Sequence, residues 1–391
     1  SSVATIDKIK EISNNIIYYK DKGFKPVVVV SAMGNTTDEL LNMAYSITDK
    51  PDKRELDMLT STGEQISISL LSIVLKERGY DSVSLTGFQA GIITEGVHTN
   101  NRIKDIDIER VKKHLRDDKI VIVAGFQGIN KNGDITTLGR GGSDTSAVAL
   151  AARLKSKCEI YTDVEGIFTI DPACYPEAKK LDYLSYEEML EMSSLGAEVL
   201  ETRSVYVAQK YNVPIYLSSS YNKKSGTYIK ENDFKMEEKS VTGVTVIEDV
   251  LMVTVNHVPY SSKNIAYIFK KLADEDINID MISQTPPDDG TINISFTTTK
   301  DNFDTVKKVL EDIKERLSHI EIIEDNTVVK VSVIGIGMRR QSGVASKIFD
   351  IFAENKIEFK QVTTSEISIS YTVDEKDYQR AVRSLAEEYD L

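Results

Sequence analysis

Apolar residues in the first 220 positions follow two alternating periods. Five isoleucines between positions 6 and 17 recur at helical spacing, so residues 5–19 predict an amphipathic helix. Residues 27–30 are four consecutive valines, which is typical of a short strand buried on both faces. A helix over 56–78 and further apolar strands at 82–85, 119–124 and 159–161 continue the alternation. This order predicts an α/β fold with a mainly parallel sheet between helix layers.

Each predicted strand runs into a polar or glycine-rich loop. These loops cover residues 31–38, 86–91, 125–128 and 162–166. In open α/β sheets the loops at the carboxyl ends of the strands line the ligand crevice. The sequence therefore predicts a ligand site built from these four loops.

The most informative loop covers residues 137–147, where three glycines surround Arg140. Glycine lets the backbone approach an anion closely, and the apolar stretch 147–152 predicts a helix with Ser143 or Asp144 at its N-cap. A helix N-terminus attracts anions, Arg140 can hold a carboxylate or phosphate with two hydrogen bonds, and Asp144 can orient a cation. The same pattern also fits a glycine-rich turn that only caps a helix, and position alone does not decide between them.

The chain beyond residue 240 contains a repeat. The first copy predicts strand 251–256, helix 264–274, strands 277–283 and 291–298, helix 302–317 and strand 320–324; the second predicts strand 328–334, helix 343–354, strands 357–363 and 367–373 and helix 376–388. This is a duplicated βαββαβ unit whose second copy lacks its fourth strand. We expect the spare strand 242–249 to complete it, since an unpaired edge is a liability.

The resulting division inserts one module within another. We predict a catalytic domain over 1–238, a first module over 250–325, and a second module formed by 240–249 and 326–391, with a charged linker at 231–240.

Charge and composition narrow the partners. The net charge of -13 argues against nucleic acid and favours small molecules. The longest apolar runs are shorter than a membrane span, so we expect no membrane partner and a cytoplasmic location. Cys158 and Cys174 fit buried thiols, no Cys/His spacing predicts a metal site, and His98 and His114 are expected at the surface.

Five motifs occur in a fixed order: residues 30–34 with Thr37 and Asp38, residues 62–64, residues 125–128, the Arg140 loop, and residues 161–164 with Gly166, Asp171 and Pro172. Together with the paired modules, the chain resembles the aspartokinase family, which has an amino-acid-kinase fold followed by two ferredoxin-like ACT modules. The resemblance covers almost the whole length. The family opens with a Lys-Phe-Gly-Gly motif, and this chain begins at the Ser1 and Ser2 that would end it, so we expect the phosphate-binding lysine upstream.

The resemblance implies a reaction. The γ-phosphoryl group of Mg-ATP moves to the β-carboxylate of L-aspartate, giving 4-phospho-L-aspartate in the first step of lysine, threonine and methionine biosynthesis. A carboxylate nucleophile is already ionised at neutral pH and needs no general base, so positioning and charge neutralisation carry the catalysis.

The resemblance also implies roles for individual residues. The catalytic residues are Arg140 and Asp144; the substrate-binding residues are Thr37, Glu64, Arg140 and Ser143; the ATP-binding residues are Ser31, Gly141, Gly142, Thr162, Asp163 and Phe168. Without the resemblance, Glu64 fits a solvated or capping carboxylate and Asp144 an N-cap. The family commonly has tyrosine at Phe168 and often arginine at Ala173, and any of Lys179, Lys180, Lys223 and Lys224 could supply the missing charge.

The ACT modules imply feedback control. We expect a homodimer or a dimer of dimers through these modules, with lysine as the first choice of effector and threonine as the other. The effector residues would be Ser261, Asn264, Ile265 and Asp280, with the carboxylate at a helix N-terminus and the distal ammonium on Asp280.

Two other functions stay open. One is a kinase of this fold with another acceptor, such as glutamate, acetylglutamate or uridylate. The other is a catalytically silent amino-acid sensor.

Overall fold

The computed structural model describes residues 3–221, 224–231, 239–317 and 319–391. The chain forms two compact units: the first is Ser1–Ile167, Lys180–Ser193 and Glu198–Phe234, and the second is Phe168–Lys179, Ser194–Ala197 and Lys235–Leu391. Two short segments, Phe168–Lys179 and Ser194–Ala197, thus belong to the same unit as the C-terminal half. A single boundary at residue 238 does not describe this division. The expected linker lies mostly outside the described residues, and the predicted domain limits stay a prediction.

The first unit alternates helices with short strands, as the apolar pattern predicts. Its helices are α1 (Ile6–Asp21), α2 (Thr36–Tyr45), α3 (Lys53–Thr60), α4 (Thr62–Glu77), α5 (Glu109–Arg116), α6 (Gly142–Leu154), α7 (Tyr186–Ser194) and α8 (Thr202–Tyr211). Its strands are β1 (Val27–Val30), β2 (Ser82–Leu85), β3 (Ile92–Val97), β4 (Asn100–Ile106), β5 (Ile120–Ala124), β6 (Gln127–Ile129), β7 (Ile135–Thr137), β8 (Cys158–Thr162), β9 (Tyr183–Ser185), β10 (Ile215–Ser219) and β11 (Thr227–Lys230).

A parallel sheet of order β1-β5-β2 has helices on both faces, as predicted. Ile120 and Ile122 of β5 pack with α1 and α4, whereas Val121 and Val123 pack with residues of α5 and α6. Successive side chains of a strand point to opposite faces, so this fully apolar strand needs a helix layer on each side. The α/β class is confirmed.

The remaining strands of this unit form two further sheets. In the order β8-β10-β11-β9 the outer pairs are parallel and the central pair is antiparallel. The order β4-β3-β6-β7 is built from hairpins that the apolar pattern did not predict. Residues of β3 and β4 are largely exposed and polar, so they lack the continuous apolar run of a central strand.

The predicted helix over 56–78 is divided at Ser61 into α3 and α4. Together, Lys53–Glu77 is long and apolar enough to cross a membrane by length and composition, but half of its most apolar window is buried inside the protein. The core helix of a soluble protein passes the same test, so this stretch is weak evidence for a membrane span.

The second unit contains one six-stranded sheet. Its strands are β12 (Gly243–Pro259), β13 (Ile282–Gln284), β14 (Thr291–Thr298), β15 (Glu321–Ile334), β16 (Phe359–Thr364) and β17 (Ser368–Asp374), in the order β13-β14-β12-β15-β17-β16. Its helices are α9 (Ser262–Asp274), α10 (Phe303–Arg316), α11 (Val344–Glu354) and α12 (Tyr378–Tyr389).

The two long central strands join the two copies of the repeat. The first part of β12 pairs with the end of β15, from Gly243 opposite Ile334 to Ile247 opposite Lys330. The second part pairs with the start of β15, from Met252 opposite Asp325 to Asn256 opposite Glu321. Each copy therefore receives its fourth strand from the long strand of the other, and the spare strand at 242–249 lies beside the first strand of the second copy. Separate apolar clusters lie beneath the two halves of the sheet.

The segment Phe168–Lys179 is part of this second unit. Val244 N donates a hydrogen bond to Thr169 O at 2.8 Å, at the edge of β12. Ile170 is 1% exposed and belongs to the apolar cluster of the second copy. A piece of chain that the repeat does not include thus completes the core of the second copy.

Candidate active site

Helix α6 begins earlier than the sequence predicts. Its N-cap is Gly141, with φ 63°, and Ser143 and Asp144 lie in its first turn, so the predicted N-cap at one of them is wrong. Gly141 can adopt this left-handed conformation at no steric cost, which lets the chain enter the helix two residues sooner. The positive end of α6 therefore begins directly after Arg140.

The loop at residues 125–128 lies against the Arg140 loop. A Cβ on Gly125 would lie 2.7 Å from Ser143 Oγ, and one on Gly142 would lie 2.9 Å from a ring carbon of Phe126. Phe126 N donates to Ser146 Oγ at 3.2 Å. These glycines permit a backbone approach that any side chain would prevent, so this motif supports the Arg140 loop.

The same loop also contacts the start of α4. Gln127 Nε2 donates to Ser61 O at 2.7 Å, three residues before Glu64. The ends of β5, the Arg140 loop and the start of α4 are therefore joined through residues 125–128.

Glu64 is a buried acid, 3% exposed. Its Oε1 accepts a hydrogen bond from Ala32 N at 3.1 Å, whereas its buried Oε2 has no partner among the described residues. Burial raises the pKa of Glu64 to about 7, although backbone hydrogen bonds oppose the shift. A Cβ on Gly63 would lie 2.9 Å from the Cβ of Ala32, so glycine lets α4 pack closely on the loop after β1. The unpaired oxygen is suited to a cation, because an unsatisfied buried acceptor is costly.

Asp144 is also desolvated, and Glu201 lies close to its loop. Burial raises the pKa of Asp144 to about 6, and the negative charge of Glu201 acts in the same direction. A Cβ on Gly141 would lie 2.3 Å from the Cβ of Glu201. Sequence reasoning missed Glu201, because it precedes α8 and no local motif connects it to the loop.

Arg140 is exposed and makes no hydrogen bond or ion pair to any residue that the structure describes. Arg203 of α8, which the sequence also did not indicate, donates to Leu138 O at 2.7 Å. Ser31 follows β1 at an exposed position, and Thr37 lies in the first turn of α2, partly buried. Arg140 is thus accessible to an anion, while the hydrogen bond from Arg203 to Leu138 O fixes its loop.

Thr162 and Asp163, two of the expected nucleotide residues, follow the end of β8. Thr162 Oγ1 donates to Asp163 Oδ1 at 2.9 Å, and this hydrogen bond lowers the pKa of Asp163. Ser220 N donates to Thr162 O at 2.7 Å, which continues the parallel pairing with β10. Phe168 belongs to the second unit, so the structure does not group it with these two residues.

The four candidate compensating lysines have different surroundings. Lys224 pairs with Glu165 at 2.8 Å, Lys180 donates to Ser225 O, and Lys179 pairs with Asp390 within the second unit. Lys223 lies outside the described residues. The geometry of the three described lysines selects none of them for a nucleotide.

The expected effector residues lie around α9. Ser261 is its N-cap and accepts from Lys263 N at 3.2 Å, Asn264 Nδ2 donates to Pro259 O at 2.9 Å, and Ile265 packs against the first-copy core. Asp280 lies in the loop before β13, not on the strand predicted at 277–283. It pairs with the ammonium of Lys330, whose side chain is 1% exposed.

Other expectations can now be compared with the structure. His98 is not a plain surface residue: its Nδ1 lies 2.5 Å from Oδ2 of the buried Asp57. His114 is partly buried, Cys158 is buried and Cys174 is partly buried. Within 3–221, 224–231, 239–317 and 319–391, no group of three or more His, Cys, Asp or Glu residues is arranged to hold a metal ion.

The fold and the site together define a class, an amino-acid kinase unit followed by paired ACT modules. The model for the amino acid kinase family matches residues 1–219, and ACT domain models match residues 265–317 and 331–389. Aspartokinase 2 of Bacillus subtilis (strain 168) is 47% identical over 392 residues, covering 100% of this chain and 96% of that protein. The chain belongs to the aspartokinase family.

Solved structures agree with this assignment. Aspartate kinase from Synechocystis is 37% identical, with a TM-score of 0.54 over 100% of this chain and 68% of that chain. E. coli aspartokinase III, solved with aspartate and ADP, has a TM-score of 0.78 over 99% of this chain and 97% of that chain. Its identity of 21% makes it evidence for the fold alone.

Proposed function

We propose that this protein is an aspartate kinase, transferring the γ-phosphoryl group of ATP to the β-carboxylate of L-aspartate to give 4-phospho-L-aspartate. The observation that carries the proposal is the unpaired, buried Oε2 of Glu64, joined through residues 125–128 to the loop of the accessible Arg140. An α-amino acid offers one ammonium and one α-carboxylate, which these two side chains complement. The names of the relatives support aspartate as the acceptor. Its reaction is the first step toward lysine, threonine and methionine.

The proposed mechanism depends on position and charge. Arg140 binds the α-carboxylate with two hydrogen bonds and Glu64 binds the α-ammonium, which leaves the β-carboxylate free to attack. Thr37 and Ser143 add hydrogen bonds to the substrate. The attacking carboxylate is ionised at neutral pH, so no residue has to remove a proton from it. In-line transfer then requires the two reactants to be held together.

ATP fits the glycine-rich start of α6, where Gly141 and Gly142 allow close backbone approach and the helix N-terminus favours phosphate. Ser31, Thr162 and Asp163 complete the proposed nucleotide site, and Phe168 is retained as a prediction. Asp144 and Glu201 are the acids that would hold Mg²⁺ together with the phosphates. Burial, and after it the negative charge of Glu201, raises the pKa of Asp144, and a divalent cation would stabilise both carboxylates. When bound, Mg²⁺ neutralises charge on the phosphoryl oxygens.

We also propose feedback inhibition through the ACT modules, with lysine as the first candidate and threonine as the second. The structure of E. coli aspartokinase III has been solved in complex with lysine and aspartate. That complex is a property of the E. coli protein. Asp280 already pairs with Lys330 through Oδ2, so a lysine effector would share this half-exposed carboxylate with Lys330 or displace it. We propose a homodimer or a dimer of dimers through these modules, and a cytoplasmic location.

The test is a hydroxylamine trap for acyl phosphate. Full-length protein is incubated with Mg-ATP and aspartate, glutamate or acetylglutamate, each with and without lysine or threonine. We expect hydroxamate from aspartate and suppression by lysine. Product from another acceptor alone would favour a different kinase of this fold. If no acceptor gives a product while lysine still raises Tm, the enzyme proposal would be rejected in favour of an amino-acid sensor.

Arg140→Lys tests the carboxylate contact, because lysine keeps the charge but loses the two parallel hydrogen bonds. We expect the KM for aspartate to rise about 10-fold to 100-fold, the equivalent of a lost charge-assisted hydrogen bond, while the KM for ATP changes less than about twofold. Arg153→Lys on α6, the helix that follows the Arg140 loop, is the control, since Arg153 Nε donates to Ile106 O away from the loop. A KM for aspartate that stays at the wild-type value would contradict the role of Arg140.

A further inference from the structure

A buried carboxylate that the proposed chemistry does not use lies beside the Arg140 loop. Asp57 on α3 is 0% exposed. Its Oδ1 accepts from Thr99 N at 3.0 Å and from Thr137 Oγ1 at 2.5 Å, and its Oδ2 accepts from His98 Nδ1 at 2.5 Å. Burying a carboxylate is expensive even when it is fully hydrogen-bonded. Filling the core therefore does not by itself explain why a carboxylate is buried at this position.

The first consequence of this network is the shape of the β3–β4 turn. Thr99 has φ 71°, a left-handed conformation that is rare for a β-branched residue. The hydrogen bond from its N–H to Asp57 holds it there. A Cβ on Gly139 would lie 3.2 Å from Thr99 O and 3.4 Å from Asn100 Oδ1, so Gly139 rests directly on this turn. Asp57 thus shapes the surface that supports the residue before Arg140.

The second consequence is that the three residues before Arg140 are all held. Thr137 is bound through its hydroxyl by Asp57. Leu138 O accepts from Arg203, which also donates to Asn101 O of the neighbouring strand β4. Gly139 packs on the turn. The loop is therefore fixed to the β3–β4 hairpin immediately before the arginine.

Arg140 itself has no hydrogen-bond or ion-pair partner in the described part of the chain. No hydrogen bond or ion pair to the described residues fixes its guanidinium, so the position of Arg140 depends on the backbone that carries it. A displacement of about 1 Å in a substrate-positioning residue can lower the rate about 100-fold.

We propose that Asp57, with His98 and Arg203, forms a positioning network that sets Arg140 for the α-carboxylate of the acceptor. Asp57 acts through the loop and does not contact the substrate. The inference rests on the proposed binding of the acceptor by Arg140. Because ATP is bound by the other side of the loop and by residues after β8, the network affects acceptor binding far more than nucleotide binding.

The test is Asp57→Asn, which keeps the shape of the side chain and one acceptor oxygen but removes the charge. We expect the KM for aspartate to rise about 10-fold, the equivalent of a weakened charged hydrogen bond, with the KM for ATP within about twofold. The readout that separates positioning from a merely structural role is a double-mutant cycle. In an Arg140→Lys background, Asp57→Asn should change the KM for aspartate less than about twofold, since the arginine it positions is gone.

Asp52→Asn is the matched control, because Asp52 caps the same helix at an exposed position and asparagine caps as well as aspartate. Thr137→Val is the second variant, removing only the hydroxyl that binds Asp57, for use where Asp57→Asn does not fold. It should raise the KM for aspartate in the same selective way.

Two results would overturn the inference. One is an equal increase in the KM for aspartate and the KM for ATP. The other is an effect of Asp57→Asn, or of Thr137→Val where it replaces that variant, that is undiminished in the Arg140→Lys background. Failure of the proposed function looks different. In that case Arg140→Lys alone leaves the acceptor kinetics unchanged, or aspartate gives no hydroxamate at all.

Discussion

In the proposed site, Glu64 would couple substrate binding to pH. Its folded-state pKa of about 7 lies above the ordinary value of 4.5, because burial disfavours the charge. The free protein therefore holds a proton on Glu64 at mildly acidic pH. An incoming ammonium favours the ionised form, so binding of the substrate competes with that proton.

Glu64→Gln should separate activity from stability. Between about pH 4.5 and 7 the folded state keeps the proton that the unfolded state releases, so wild-type stability falls as pH rises through this window. The variant lacks that penalty and should be more stable at pH 8 by up to about 3 kcal/mol, yet equal near pH 4. Urea denaturation at both values measures this.

Glu64→Gln should also change the pH dependence of aspartate binding. Wild-type affinity for aspartate should rise from pH 6 to 8, and the variant should show a high KM without this slope. Glu77→Gln, exposed on the same helix, should match the wild type. A variant that is less stable than the wild type at pH 8 would show that the carboxylate is not penalised by burial.

At the scale of elements, the long strands β12 and β15 hold the two copies of the repeat together, and an ion pair between a buried lysine and a partly exposed aspartate crosses between the copies. Lys330 of β15 has a side chain that is 1% exposed, whereas the side chain of Asp280 before β13 is 44% exposed. Removing Asp280 leaves the buried charge of Lys330 uncompensated, whereas replacing the whole pair by apolar groups is often neutral, and removing Lys330 leaves only a carboxylate that water reaches.

Asp280→Ala should therefore lower the free energy of unfolding of the second unit by about 2 kcal/mol, less than for a fully buried pair because water reaches Asp280. Lys330→Met should be near neutral, and the double variant should recover most of the loss. Urea denaturation with a double-mutant cycle measures the coupling. Lys376→Met, at an exposed pair with Asp374, should change little. Additive effects of Asp280→Ala and Lys330→Met would argue that the pair is not coupled.

At the scale of the whole molecule, the chain passes between its two units more than once. Phe168–Lys179 packs in the second unit, while the residues before and after it belong to the first. The expected nucleotide residues Thr162 and Asp163 precede this segment by only a few positions. Covalent continuity therefore joins these expected nucleotide residues to a segment in the core of the second copy.

Ile170→Ala should destabilise the second unit selectively. Ile170 is 1% exposed in the second-copy core, and such truncations cost about 2–5 kcal/mol. Calorimetry should show a lower Tm for one transition and an unchanged Tm for the other, with weaker inhibition by lysine. Ile282→Ala, at a position 52% exposed, is the control. Equal shifts of all transitions would mean that the two units unfold as one.

Much of the architecture is readable from periodicity because a strand or helix buried on one face needs apolar residues at its own spacing. The valines of β1, the apolar run of β5 and the duplicated βαββαβ pattern are local signals of this kind. The hairpins β3–β4 and β6–β7 gave no such signal, since β3 and β4 are largely exposed and β6 and β7 have only three residues each. The break at Ser61 was missed because apolar spacing continues across it.

The sequence by itself determined the main helices and buried strands, the fold family and the glycine-rich loop around Arg140, because chain neighbours and their spacing carry that information. Tertiary structure alone decided the unpaired oxygen of Glu64, the carboxylate of Glu201 beside Gly141, and the network of Asp57 with His98 and Thr137. It also placed Lys330 on Asp280 and Ile170 in the core of the second copy. These pairs are far apart along the chain, and charge, burial and partner depend on which distant segments meet, which no local pattern encodes.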